Sequence, residues 1–162
     1  MAIVALTGTV QSWVTLSRTL DQVPQHGGMN VVTSTVEVGA ADSDTSTYFM
    51  ARLPSAARLQ PQSCIGLDDL ASAGAPTLDV GTQNLADGTA DDPDSINDGI
   101  DAATAAGRTA LIKDVADWGK ALWSIAGATS DPGGMIDIYI SLVDADVNVG
   151  GTVSISLCYT MD

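Results

Sequence analysis

Strict two-residue alternation near the C-terminus narrows the folds open to this chain more than any other feature. Across an extended run from Gly134 to Val143, Ile136, Ile138, Ile140 and Leu142 share one face, and Met135, Asp137, Tyr139 and Ser141 share the other. After a seven-residue loop, Asp144 to Gly150, the pattern resumes from Thr152 to Thr160. Val153, Ile155, Leu157 and Tyr159 then face one way, and Ser154, Ser156 and Cys158 the other. A helix would spread these side chains around its circumference, whereas a strand gathers each set on one side. Two runs of matched length around a Gly-ended loop predict an antiparallel hairpin with one buried face.

Shorter runs repeat the theme upstream. Val31 to Val38 groups Val32, Val36 and Val38, and Thr47 to Leu53 groups Phe49, Ala51 and Leu53. Ser63 to Asp68 turns Ile65 and Leu67 inward, and Thr77 to Thr82 does so with Leu78 and Val80. Ile100 to Ala106 is a further extended run whose alanines suit a helix nearly as well. Six or seven strands punctuated by Gly, Pro and Asp predict a two-sheet sandwich or a barrel. One helix is predicted from Asp114 to Ala126, where Val115, Trp118, Leu122 and Ile125 form an apolar stripe. Asp114 caps its start, Asp117 sits in the first turn and Gly127 ends it. Residues 1–28 read as an extended N-terminal arm followed by a flexible joint, with the sandwich domain over 29–162. No period of 20–50 residues repeats, which argues against a solenoid.

Charge removes several function classes. Twenty acidic residues against six basic ones leave a formal charge of −14 over 162 residues. Nucleic-acid binding draws on clustered Lys and Arg, and docking on anionic lipid needs the same. No apolar run approaches the roughly 18 residues of a membrane span. Met1 to Thr7 lacks the basic start of a secretory signal, so none is expected. All but one of the acids are Asp, the exception being Glu37, and lysine occurs only at Lys113 and Lys120. Asp favours turns and caps, whereas Glu and Lys favour helix interiors, so the acids point to strands joined by acidic loops. A high-salt habitat would produce a similar surface.

The residues offer little for catalysis or cofactors. His26 has no His or paired-Cys companion for zinc. Cys64 and Cys158 are too far apart in sequence for a C-x-x-C motif and read as free thiols within strands. The clusters Asp42-Ser43-Asp44, Asp91-Asp92-Pro93-Asp94 and Asp144 to Asn148 carry oxygen ligands suited to Ca²⁺. The last lacks an EF-hand's glycine and terminal glutamate, holding Val149 and Ile155 there, so solvated turn acids are expected rather than a metal site. With so many Asp residues a chance carboxylate pair carries no information about glycoside hydrolysis. There is no G-x-S-x-G, and Gly133-Gly134 has no following Lys to form a phosphate loop. No catalytic residue and no cofactor is therefore assigned. Contact is the remaining signal. Trp13, Arg18, Trp123 and Tyr139 are the protein-contact candidates, with Arg52, Arg58, Arg108 and Met135 raising the same question.

Arg52-Leu53-Pro54-Ser55-Ala56-Ala57-Arg58-Leu59, followed by Ile65-Gly66-Leu67-Asp68-Asp69-Leu70 and Leu78-Asp79-Val80-Gly81-Thr82, resembles a pattern in tailed-bacteriophage capsid decoration (cement) proteins. The late block Trp118-Gly119-Lys120-Ala121-Leu122-Trp123, then Thr129 to Gly134, then Ile136-Asp137-Ile138, fits it in the same order. The resemblance spans about residues 46–160; the arm and the acidic 83–99 loop fall outside it. It implies a jelly-roll-like antiparallel β-sandwich on the outer face of a capsid, assembled in the host cytoplasm. It also implies a homo-oligomer, dimer or trimer, bound to the major capsid protein; the acidic charge separately argues for no nucleic-acid and no membrane partner. A carbohydrate-binding jelly-roll module aiding host attachment is the alternative, and an enzyme is the least favoured class.

Overall fold

The computed structural model describes residues 5–7, 9–14, 28–88, 90–103 and 106–161, the side chains from residue 28 onward. Among them run eleven strands: β1 Ala5–Thr7, β2 Thr9–Val14, β3 Asn30–Val38, β4 Thr47–Pro54, β5 Arg58–Leu59, β6 Cys64–Leu67, β7 Thr77–Gln83, β8 Asp92–Asp101, β9 Gly107–Ala110, β10 Met135–Val143 and β11 Gly151–Thr160. They form two sheets, ordered β1-β4-β10-β7-β8 and β2-β3-β11-β6-β9, with β5 on the end of β11. The chain is an all-β sandwich of two largely antiparallel sheets, as its alternation requires.

Its two longest alternating runs lie at the middle of the two sheets. β10 is flanked by β4 and β7, and β11 by β3 and β6. Ile136, Ile138, Ile140 and Leu142 meet Val153, Ile155, Leu157 and Tyr159 in one buried cluster. The expected faces hold, but the expected hairpin does not: β10 and β11 belong to opposite sheets and do not pair. The loop between them crosses the sandwich instead, and sheets stand only about 10 Å apart, within reach of seven residues. Val147 plugs into the core at mid-loop, and its backbone bonds Ala41 and Asp42. The loop's acids are spent locally: Asp144 accepts from the Thr77 hydroxyl and Asp146 from the Asp44 amide.

Three further expectations give way. On β4, Tyr48, Met50, Ala51 and Leu53 are buried while Phe49 is only half-buried, because the pairing with β10 shifts register between Ile138 and Tyr139. The bulge puts Met50 and its neighbour Ala51 both inside, so a simple count of two misplaces Phe49. The predicted helix over 114–126 is broken into a 3₁₀ turn, Val115–Asp117, and a single α-turn, Leu122–Ile125 (α1). Gly119, at φ +72°, ends the first piece, and Ala121 bridges to Arg58 before the second begins. Leu122 and Ile125 are buried as expected, whereas Val115 and Trp118 point to solvent. Asp114 does cap the first turn, accepting from the Ala116 amide, and Gly127 follows α1 at φ +78°. Finally, the acidic loop expected over 83–99 carries most of β8, and of the extended run expected over 100–106 Ile100 and Asp101 end that same strand.

Of the arm and joint expected over 1–28, only β1, β2 and Gly28 lie among the described residues. β1 runs parallel to β4 with Ala5 opposite Thr47, and β2 antiparallel to β3 with Trp13 opposite Val32. These two strands form one edge of each sheet; β8 and β9 form the other edges.

Candidate functional site

The outer face of the β1-containing sheet is unusual because its middle is both polar and buried. Asp137, Tyr139 and Ser141 of β10 point away from the core yet are at most 6% exposed. Arg52 and Asn84 bond Asp137, and the start of β8 passes over the sheet beside Tyr139. The register allots two steps on β7, from Val80 to Thr82, to five on β8, from Asn97 to Asp92, so the excess chain arches over the sheet. It arches over Gly81, which sits directly opposite Tyr139. A Cβ on Gly81 would collide with the main chain of Asp92 and Pro93. Burial first, then the nearby Asp91, Asp92 and Asp94, pushes the Tyr139 phenol up to about 12.

Beside Tyr139 lies a charge clamp. The Arg52 guanidinium donates from Nε and Nη2 to Asp137 Oδ1 and Oδ2, at 2.5 and 2.8 Å, and Asn84 Nδ2 donates to Oδ2 at 2.8 Å. Burial works against the Asp137 carboxylate, but Arg52 and Asn84 together outweigh it and hold its pKa below the usual carboxylate range. A carboxyl with a depressed folded pKa stabilises the fold above its unfolded value, near 4, and that contribution disappears as pH falls through the folded value. Asp137→Asn is therefore expected to cost about 2 kcal/mol at pH 7, the size of a charged hydrogen bond, a cost that shrinks as pH falls below about 4. Thermal melts of both proteins across that range check it, and parallel curves would contradict it. Asp79, next along the same face, is shifted the other way, burial raising its pKa against the opposing bond from the Gly99 amide.

The protein-contact candidates do not come together. Tyr139 lies beneath the β8 arch, and Trp123, on α1, is partly buried and packs on the core. Trp13 belongs to β2, and Arg18 lies outside the described residues. Arg52 is committed to Asp137, and Arg58 donates to the Gly119 carbonyl at 3.0 Å. Met135 is exposed at the start of β10. Cys64 and Cys158 are free thiols in β6 and β11, and burial pushes Cys158 up, away from thiolate reactivity.

Sequence reasoning missed two surface features. One is a cleft of about 510 Å³ between the edge strands β8 and β9, floored by Leu67, Ile100 and Ile112 and rimmed by Asp98, Arg108 and Lys113. The other is the Val115–Asp117 turn, which presents Val115 at 64% and Trp118 at 50% exposure. Gly119 was the sequence signal that the stripe stops there. Among the described residues no three His, Cys, Asp or Glu side chains gather as a metal site, and no helix is long and apolar enough to cross a membrane.

No protein-family model matches the chain, and no curated protein matches it. Solved structures do share its fold. A chain of the cyanophage Pam1 capsid asymmetric unit aligns over 87% of this chain and 90% of its own, with a TM-score of 0.58 at 13% identity. A chain of the Ralstonia phage GP4 capsid aligns over 87% and 90%, with a TM-score of 0.54 at 19% identity. At such identities the likeness is one of fold.

Proposed function

We propose that the chain is a structural component of a phage virion that decorates the outside of the capsid and cements it by binding the major capsid protein. The supporting observation is that the sandwich aligns, over 87% of its length, with chains found in the capsids of two phages. The physical chemistry agrees with that role. A charge of −14 keeps coated particles apart in solution and disfavours contact with the packaged genome. The polar side chains converging on the outer sheet face are spent on the fold, with Asp137 held by Arg52 and Asn84.

Cementing is mass action: a protein that binds the assembled shell and not its dissociated subunits lowers the free energy of the shell. At a free concentration about 100 times the Kd, each occupied site adds about 2.7 kcal/mol. Recombinant protein added to particles stripped of it is expected to sediment with them and to raise their resistance to heat and osmotic shock. Particles that neither bind it nor gain resistance would refute the proposal.

A further inference from the structure

We propose that the outer edge of β9 accepts an extended segment of a different polypeptide as an added strand. Its aliphatic side chains would enter the cleft between β8 and β9, and an acidic side chain would face Arg108. In an antiparallel ladder, paired residues alternate between those that exchange main-chain bonds with each other and those that turn both groups away. The Leu111 amide bonds the Ser63 carbonyl, and β6 and β9 continue that register with Ile65 opposite Thr109 and Leu67 opposite Gly107. On the far side of β6 the Asp68 amide bonds the Thr152 carbonyl. That register turns the main chain of Gly66 toward β11, and so the main chains of Ile65 and Leu67 toward β9. Both ladders therefore agree that Arg108 and Ala110 direct their main-chain groups to the outer edge. The Arg108 amide and carbonyl and the Ala110 amide have the two-residue spacing that one more strand reads. All four residues of β9 are exposed. β8, the neighbouring edge, is blunted by Pro93 and two register shifts, whereas β9 has no proline and pairs with β6 without a shift.

Side-chain direction and charge identify the occupant. A residue paired with Arg108 projects on the same side of the sheet as Arg108, and its two neighbours project toward the cleft. The cleft floor of Leu67, Ile100 and Ile112 suits aliphatic side chains there. Around the rim, Lys113 is paired with Asp98, and Asp101 accepts from the Ala103 amide. The charge on the pairing strand itself is Arg108, and its cross-strand complement is a carboxylate. A second copy of this chain fits the edge poorly. A two-fold centred on Arg108 would set arginine directly opposite arginine, which is destabilising. A two-fold centred on Thr109 would draw on the Ala110 carbonyl, which Asn97 Nδ2 already holds at 3.2 Å. The occupant is therefore another chain carrying an aliphatic, acidic, aliphatic run.

The test needs no capsid, so it stands or falls apart from the cementing proposal. The probe is the acetylated and amidated peptide Thr-Val-Glu-Val-Thr, added to the full isotope-labelled chain. It is expected to slow amide hydrogen exchange at Arg108 and Ala110 about tenfold, the effect of engaging one hydrogen bond. Methylating the peptide nitrogen of its glutamate removes the donor to the Arg108 carbonyl and is expected to abolish that protection. Arg108→Glu is expected to reverse the preference, binding the peptide with Lys in place of Glu about tenfold more tightly than the original. Its melting temperature should stay unchanged, because Arg108 is exposed. No protection at about 1 mM peptide, protection that survives methylation, or an Arg108→Glu chain that keeps the original preference would each overturn the inference. So would protection of the same two amides without peptide in a chain that light scattering shows to be dimeric, which would give the edge to a second copy.

Discussion

Gly81→Ala is expected to destabilise the protein by about 3 kcal/mol or more, at the upper end of overpacking effects, and so to lower its Tm by about 6–12 °C for a chain of this size. The cause lies in main chain rather than side chain. The new methyl would occupy the place of the Asp92 carbonyl and Pro93, and no rotamer change clears it. Either the start of β8 lifts from the sheet or β7 is pushed into the core. If β8 lifts, Tyr139 loses its cover, and its phenol returns from about 12 toward the ordinary value near 10. Gly66→Ala is the control. Gly66 also lies within a strand, but its Cβ would meet only the Gly107 carbonyl, at 3.7 Å, an ordinary contact. That substitution is expected to be neutral or to stabilise by about 0.4–1 kcal/mol through the unfolded chain. Equal melting of the two variants would mean that Asp92 and Pro93 do not press on β7.

The same arch explains where sequence was legible and where it was not. On β3, β6, β7 and β11, side chains alternate with the pleat, and Val32, Val36, Ile65, Leu78, Val153 and Ile155 are buried as their spacing predicts. Period-two logic assumes an unbroken ladder, and it fails at bulges: Met50 shifts β4 by one, and the excess residues of β8 hide a strand inside what composition reads as an acidic loop. Pairing is illegible for a different reason. The inward faces of β10 and β11 look alike whether the strands lie side by side or across the core from each other, so spacing cannot separate a hairpin from a crossing between sheets. The helix over 114–126 misled because one glycine divides a good stripe, and the half left outside is the half that exposes Trp118. Surface features are least legible of all, since residue type does not record exposure: Tyr139 is hidden by a segment more than forty residues upstream, and Trp118 is not hidden.

Ile138→Ala is the second large effect, expected to cost about 2–5 kcal/mol, the range for emptying a fully buried aliphatic site. Ile138 sits at mid-strand on β10, between Ala51 of β4 and Thr82 of β7, and has no solvent exposure. Hydrogen-bonded neighbours fix its backbone on both sides, so the surroundings cannot close the cavity by moving the strand. Met135→Ala at the exposed start of the same strand is expected to change stability by no more than about 0.5 kcal/mol. Denaturant titration separates these outcomes, and similar midpoints for the two variants would be incompatible with β10 as a central strand. The core variant also separates folding from adhesion. Its substitution lies away from every surface, so once folded it should bind a stripped particle as the wild type does, and binding then offsets the lost stability by mass action. Under the cementing proposal, binding adds the same free energy to the variant as to the wild type, so each should melt higher on the particle than free; a variant that folds yet gains nothing on the particle would mean that the shell does not hold the folded chain.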